Sequence, residues 1–230
     1  MTPDPDATAR VLERVTTPRG EFALRQRGGD LELIADGVFL MSTAASHSER
    51  ELGRLALAAH PSPRRVLVAG LGLGVTVAAV LADPRVHEVL VVEIEPVVVR
   101  WQRTHAAEAV GPVLDDPRVR VEIADVTDIV RGSVPMDPSD VVCLDVDNGP
   151  GWTLYPSNAW LYDATGLAGL AGLLGPGGVL AVWASAEDPT FATRLGEHVG
   201  PVTVHERPVP RGAPDVLLLA GQDPVADPSS

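Results

Sequence analysis

From Arg64 onward the chain alternates short apolar runs, rich in β-branched residues, with stretches whose apolar positions repeat at helical spacing. Seven runs read as strands: RVLVAG (65–70), EVLVVEI (88–94), RVRVEIA (118–124), DVVCLDV (140–146), GVLAVWA (178–184), VTVHERP (202–208) and DVLLLAG (215–221). Helices are predicted between them over about 75–82, 96–109, 126–131, 158–174 and 189–199. Near-continuous apolar strands separated by helices are the pattern of a mostly parallel sheet covered on both faces, a doubly wound α/β fold. The last two strands are joined by PVPRGAP, too short for a parallel crossover, so they form an antiparallel hairpin at the sheet edge.

Before this region the pattern differs. EFALRQR, LELIA and VFLM alternate apolar and polar residues around Gly28-Gly29-Asp30 and Asp36-Gly37, which are hairpin signals. Strands this few and short must pack on the rest of the chain or on another subunit. A helix over about 45–59 follows, with Leu52, Leu55 and Leu57 on its apolar side. The expected organisation is a flexible tail (1–16), a small β region (17–45), an α/β ligand-binding domain (46–221) and a second tail (222–230). Both tails are rich in Pro, Asp or Ser.

Charge narrows the choice of partner. Eighteen basic residues, all Arg, face 31 acidic ones, for a net charge of -13. That field repels phosphate backbones, so no nucleic-acid partner is expected. The absence of Lys excludes Schiff-base chemistry and a phosphate-loop lysine. No apolar run is long enough to span a membrane, and MTPDPDATAR lacks the basic-then-apolar pattern of a secretory signal. A cytoplasmic location is expected. The single cysteine, Cys143, makes neither an internal disulfide nor a cysteine-based zinc site. The six histidines are scattered without metal-ligand spacing, so no metal is expected; His47 is a weak candidate for the cleft.

The strongest chemical signal is Gly70-Leu71-Gly72-Leu73-Gly74, directly after the first strand of the α/β region. Gly70, Gly72 and Gly74 allow a sharp turn and close approach of a ligand to the backbone. Glu93, 23 residues after Gly70, ends the next strand, where a carboxylate accepts from both ribose hydroxyls; Glu95 is the other candidate. Val75 stands where a dinucleotide fingerprint wants Gly or Ala, which disfavours a pyrophosphate ligand. Asp125 follows the third strand and can accept from an adenine amino group, cap the next helix, or both. Asp145 and Asp147 close the fourth strand, and alternation puts them on one side. In the loop beyond, Asn148, Trp152 and Tyr155 are candidates for an acceptor pocket. Trp160 and Tyr162 read as packing of the next helix.

These pieces resemble class I S-adenosylmethionine-dependent methyltransferases and, more narrowly, the spermidine synthase family. The resemblance covers about residues 20–220 and rests on LIADGVFLM, VLVVEIEPVVV, DPRVRVEIADV, DVVCLDVDNGPG and GLLGPGGVLAVWAS. It implies a Rossmann-like α/β fold with a mostly parallel seven-stranded sheet, an antiparallel edge strand and a preceding β-hairpin region. It implies Glu93 on ribose, Asp125 on adenine, and Asp145 as the carboxylate that helps deprotonate an attacking amine. It also implies a homodimer. The chain departs from the family at Leu73, where aminopropyltransferases carry the aspartate that holds the amino end of decarboxylated S-adenosylmethionine. It departs again at Asp145-Val146-Asp147-Asn148-Gly149 and at His47-Ser48-Glu49-Arg50-Glu51. These departures lead to the expectation of a small-molecule methyltransferase that uses S-adenosylmethionine. Asp145 would be catalytic, Gly70, Gly72, Gly74, Glu93 and Asp125 would bind the cofactor, and Asp147, Asn148, Trp152 and Tyr155 would bind a small-molecule acceptor. The alternatives are an aminopropyltransferase using decarboxylated S-adenosylmethionine with an unusual acceptor, and a non-catalytic nucleoside-binding or interaction module.

Overall fold

Two sheets organise the computed structural model, which describes residues 8–209 and 212–221. The first is an antiparallel meander of β1 (Arg10–Thr17), β2 (Gly20–Arg27), β3 (Asp30–Ala35) and β4 (Val38–Ser42), in that order. Asp36 and Gly37 both have positive φ, as the two-residue turn between β3 and β4 demands. Alternation turns Phe22, Leu24, Leu31, Leu33 and Ala35 inward, into one cluster with Leu52 and Ala56 of the following helix. Each large side chain buried there contributes roughly 1.5–3 kcal/mol. The meander thus packs on the rest of its own chain.

β1 corrects the reading of residues 1–16 as a tail. It is an edge strand with no fully buried residue, so its apolar alternation is weak; its ladder to β2 and the polar contacts of Glu13 hold it. Residues 1–7 and 222–230, also read as tails, lie outside the described residues.

The second sheet contains β5 (Arg65–Ala69), β6 (Glu88–Glu93), β7 (Val119–Ile123), β8 (Ser139–Leu144), β9 (Leu174–Ala184), β10 (Val202–Arg207) and β11 (Asp215–Gly221). Their order is β10-β11-β9-β8-β5-β6-β7. β5 to β9 run parallel, and β11 runs antiparallel to both its neighbours. The last hairpin is at the edge as its short connection requires, but β11 lies inside β10, so Asp215 starts beside the carboxyl end of β9.

Helices cover both faces: α1 (His47–Ala59), α2 (Val75–Leu81), α3 (Pro96–Trp101), a π turn (Gln102–Ala106) leading into α4 (Ala107–Val110), α5 (Val126–Val130), α6 (Ala164–Ala171) and α7 (Pro189–His198). Val66 and Val68 face the cluster shared with the meander, while Leu67 and Ala69 face the cluster under α5, α6 and α7. The helix expected over 158–174 is two pieces, a 3₁₀ segment (Pro156–Tyr162) and α6. Asp163 divides them by capping α6, accepting from the amides of Thr165 and Gly166. Among the described residues no helix is long and apolar enough to cross a membrane.

The chain steps outward from β5 through β6 to β7, then returns to place β8 on the other side of β5. At such a reversal a crevice opens beyond the carboxyl ends of the strands. The meander forms its outer wall. It is fastened there by Glu13, which accepts from the indole of Trp101 (3.0 Å) and pairs with Arg100 (2.7 Å) and His105 (2.8 Å). Thr17 and Arg19 add bonds to Glu95 at 3.2 and 3.3 Å.

Candidate active site

The crevice holds about 1010 Å³ of space, counted out to its open mouth. Its floor is the glycine turn after β5. Gly70, Gly72 and Gly74 have φ of 91°, 51° and 92°, conformations that only glycine adopts without strain. A side chain on Gly70 would strike the backbone of Asp145, and one on Gly72 would strike the sulfur of Met41 from β4. The turn is therefore pinched between the end of β8 and the meander. Gly70 and Gly72 line the crevice; Gly74 caps α2 behind them.

Glu93 ends β6 with one carboxylate oxygen accepting from the amide of Leu71 (2.9 Å) and the other from the amide of Glu95 (2.8 Å). Burial raises its pKa, against the pull of those amides. A carboxylate has about four acceptor positions, so with a further backbone bond from Ile94 it still keeps capacity for a ligand hydroxyl. Asp125 caps α5 through Oδ1 to the amide of Thr127 (2.8 Å), as one of its two sequence readings expects, and this capping does not remove it from the crevice lining.

Asp145 follows β8 and accepts from the hydroxyl of Thr76 at 2.6 Å. Burial pushes its pKa up to about 6. Alternation does not govern the pair with Asp147, because the strand ends at Leu144 and Asp147 has φ of 55°. Asp145 instead faces Glu49, whereas Asp147 feels the charge of Asp125. Asp147 is held by the amide of Leu154 (3.0 Å) and the side chain of Asn158 (2.8 Å). Both carboxylates line the crevice. So does Tyr155, whose hydroxyl is pushed up to about 12 by burial and by the nearby Glu95.

Two residues expected in the acceptor pocket do not line it. Asn148 builds the loop, its carbonyl accepting from the amide and hydroxyl of Ser185 (3.1 and 3.0 Å). Trp152 is 42% exposed and faces away. The tight turn around Gly149 packs against Ala184 and Trp183, and this sends Trp152 outward while Leu154 and Tyr155 turn in. His47 does not line the crevice either. Trp160 lies under the guanidinium of Arg131, and Tyr162 packs edge-on against Phe191, so both serve the helix layer.

Sequence reasoning missed Glu49, Glu95's tie to the meander, and Asn158. Glu49 sits in the first turn of α1, where an acidic residue is ordinary helix chemistry, and nothing local shows that this turn overhangs the crevice. The lining includes six acidic side chains, Glu49, Glu93, Glu95, Asp125, Asp145 and Asp147, and among the described residues no basic one. Such a cleft attracts cations and offers a ligand carboxylate no ionic partner.

The sequence model of the Spermine/spermidine synthase domain family matches residues 46–198. The polyamine aminopropyltransferase of Mycobacterium tuberculosis is 31% identical over 195 residues, which cover 80% of this chain and 36% of the relative. That of a Synechococcus species is 28% identical over 251 residues, covering 96% of this chain and 75% of the relative. The chain thus spans little more than a third of the length of the mycobacterial relative. In structure it is similar to the spermidine synthase of Thermotoga maritima (TM-score 0.75, 19% identity, 92% of this chain and 72% of that one). A spermidine synthase in complex with the transition-state analogue AdoDATO superposes with a TM-score of 0.78 at 19% identity, over 92% of this chain and 73% of that one. The names of these relatives overturn the expectation of an S-adenosylmethionine-dependent methyltransferase. The physical reason is that this cleft is acidic without an aspartate at position 73: its carboxylates stand on other elements.

Proposed function

Because the chain belongs to the Spermine/spermidine synthase domain family, we propose that it transfers an aminopropyl group from decarboxylated S-adenosylmethionine to a small primary amine. The observation that carries this reading is the cleft lined by six carboxylates and, among the described residues, no basic side chain. The donor bears a sulfonium and an ammonium and no carboxylate, and the acceptor is also a cation, so both suit this lining. Glu93 would take the ribose hydroxyls, Asp125 the adenine amino group, and Gly70 and Gly72 let the sulfonium region lie against the backbone. Asp147, held by Asn158, and Tyr155 would receive the acceptor.

In the reaction the acceptor nitrogen's lone pair attacks the aminopropyl carbon bonded to sulfur. A C–N bond forms, the C–S bond breaks, and its electron pair stays on sulfur as a neutral thioether, methylthioadenosine. The chain's contribution is mainly placement of the two cations for in-line attack. Asp145 accepts the proton that the acceptor ammonium must lose, and its raised pKa of about 6 suits that role near neutral pH.

The test is to incubate the protein with decarboxylated S-adenosylmethionine and a panel of diamines and polyamines, and to measure methylthioadenosine and the lengthened amine. Stoichiometric appearance of both supports the reading. Donor binding without transfer to any amine would leave a nucleoside-binding module instead. A homodimer is part of the same proposal; Val11 and Phe39, exposed on the two edge strands of the meander, are its candidate contacts. Light scattering should give twice the chain mass, and a monomer at micromolar concentration would refute it.

A further inference from the structure

We propose that Glu49 is the anionic anchor for the primary ammonium of the aminopropyl donor, an inference that rests on the transferase reading above. The geometry divides the crevice in two. Glu93 and Asp125 stand at the ends of β6 and β7, on one side of Gly70. Asp145 and Glu49 stand on the other side, at the end of β8 and the start of α1. A donor whose nucleoside occupies the first half extends its charged arm past Gly70 into the second. The loop position Leu73 supplies nothing there, because its side chain is 1% exposed in the hydrophobic core.

Glu49 is 7% exposed and lines the crevice. Its Oε2 lies 3.0 Å from the hydroxyl of Ser48, and the carboxylate also accepts from its own backbone amide, but no cationic side chain among the described residues reaches it. Ser48 is fixed in turn by the indole of Trp183 (3.1 Å) and lies 2.6 Å from Asp215, whose strand brings its amino end to this edge. Thr76 links the other flank, bonding Asp145 and reaching the carbonyl of Glu49 at 3.3 Å. Three carboxylates, Glu49, Asp145 and Asp215, thus converge, and among the described residues no basic side chain pairs with any of them. On the crevice's far wall Glu95 differs, since its Oε1 takes Arg19 and Thr17 and only its Oε2 is buried without a partner. The three convergent carboxylates, held without a cation, are costly unless a ligand brings one. An ammonium, with three donors, matches the Glu49 carboxylate, which no basic side chain among the described residues neutralises, and leaves Asp145 to handle the acceptor's proton.

The test compares three nucleosides by calorimetry with wild type, E49Q and E49D: decarboxylated S-adenosylmethionine, its demethylated thioether, which keeps the aminopropyl ammonium but not the sulfonium charge, and methylthioadenosine, which has neither. E49Q keeps the shape and removes the charge. The expected result for E49Q is a loss of at least about tenfold in affinity for both the donor and the demethylated thioether, with methylthioadenosine unchanged within about twofold; a loss for the donor alone would assign Glu49 to the sulfonium and overturn the proposal. E49D should recover part of the loss, and the KM for the donor should rise more than the KM for the acceptor amine. An unchanged donor affinity in E49Q, or equal losses for all three nucleosides, would overturn the assignment while leaving the transferase reading intact. Failure of the wild type to bind any of the three nucleosides would overturn that reading and this inference with it. Circular dichroism and thermal melting of E49Q show whether the variant folds, and E49D provides the measurement if it does not.

Discussion

At the residue scale, what distinguishes this cleft is where its carboxylates sit. Glu93 spends both oxygens on backbone amides and so is rigid before any ligand arrives. Asp145 is different: among the described residues Thr76 is its one side-chain hydrogen-bond partner, and burial raises its pKa to about 6, close below neutral pH. Asp145→Asn should therefore reduce kcat about 10²- to 10⁴-fold, the usual worth of a positioned base, while the circular dichroism spectrum stays that of the wild type. A variant that kept its kcat would remove Asp145 from proton transfer. Leu73 shows the opposite case. As a core residue it does not report on ligand charge, so reading a methyl donor from it was unsound.

At the element scale the meander matters more than its short strands imply. Leu24 of β2 is fully buried in the cluster shared with α1 and β5, so the crevice wall and the central sheet have a common core. Leu24→Ala should cost roughly 2–5 kcal/mol of global stability in a urea titration. A loss under about 0.5 kcal/mol would mean that the meander unfolds independently of the α/β sheet. The π turn at Gln102–Ala106 lies in the helix that carries Arg100, Trp101 and His105 to Glu13. Glu13 is held down to about 2 chiefly by Arg100, with His105 and Trp101 adding to it, so this fastening remains ionic through the neutral range.

For the whole molecule, the carboxylates fall into two sets with opposite pH dependence. Glu49, pushed up to about 7, and Asp145, at about 6, bind protons more tightly folded than unfolded. Their contribution to stability is present at low pH and is lost as pH rises through 6 to 7. Around them stand Asp215, Ser48, Thr76 and Trp183, none of them a cation. Glu13, Glu51 and Asp116, each held to about 2 by arginine, contribute in the other direction, and that stability is lost as pH falls below about 4.5. Without ligand, the melting temperature should rise from pH 8 to a maximum near pH 4.5 and fall below pH 4. In E49Q the rise on the alkaline side should shrink. A wild-type maximum at pH 8 would contradict the burial of the Glu49–Asp145 pair.

Much of this protein was determined by local pattern. Continuous β-branched runs and the short PVPRGAP connection sufficed for a doubly wound sheet ending in a hairpin, since strand burial and connection length are properties of neighbouring residues. Gly70, Gly72, Glu93, Asp125, Asp145, Asp147 and Tyr155 were legible as crevice residues because sheet topology ties strand ends to the ligand side. Tertiary structure alone decided the rest. It brought Asp145 from the end of β8 and Asp215 from an antiparallel strand near Glu49 of α1, across separations of 96 and 166 residues that no periodicity encodes. It turned Trp152 out and Leu154 in through one tight turn at Gly149, and it buried Leu73. Charge at a site is set by what converges in space, and the electrostatic character of this cleft follows from that convergence rather than from its glycine motif.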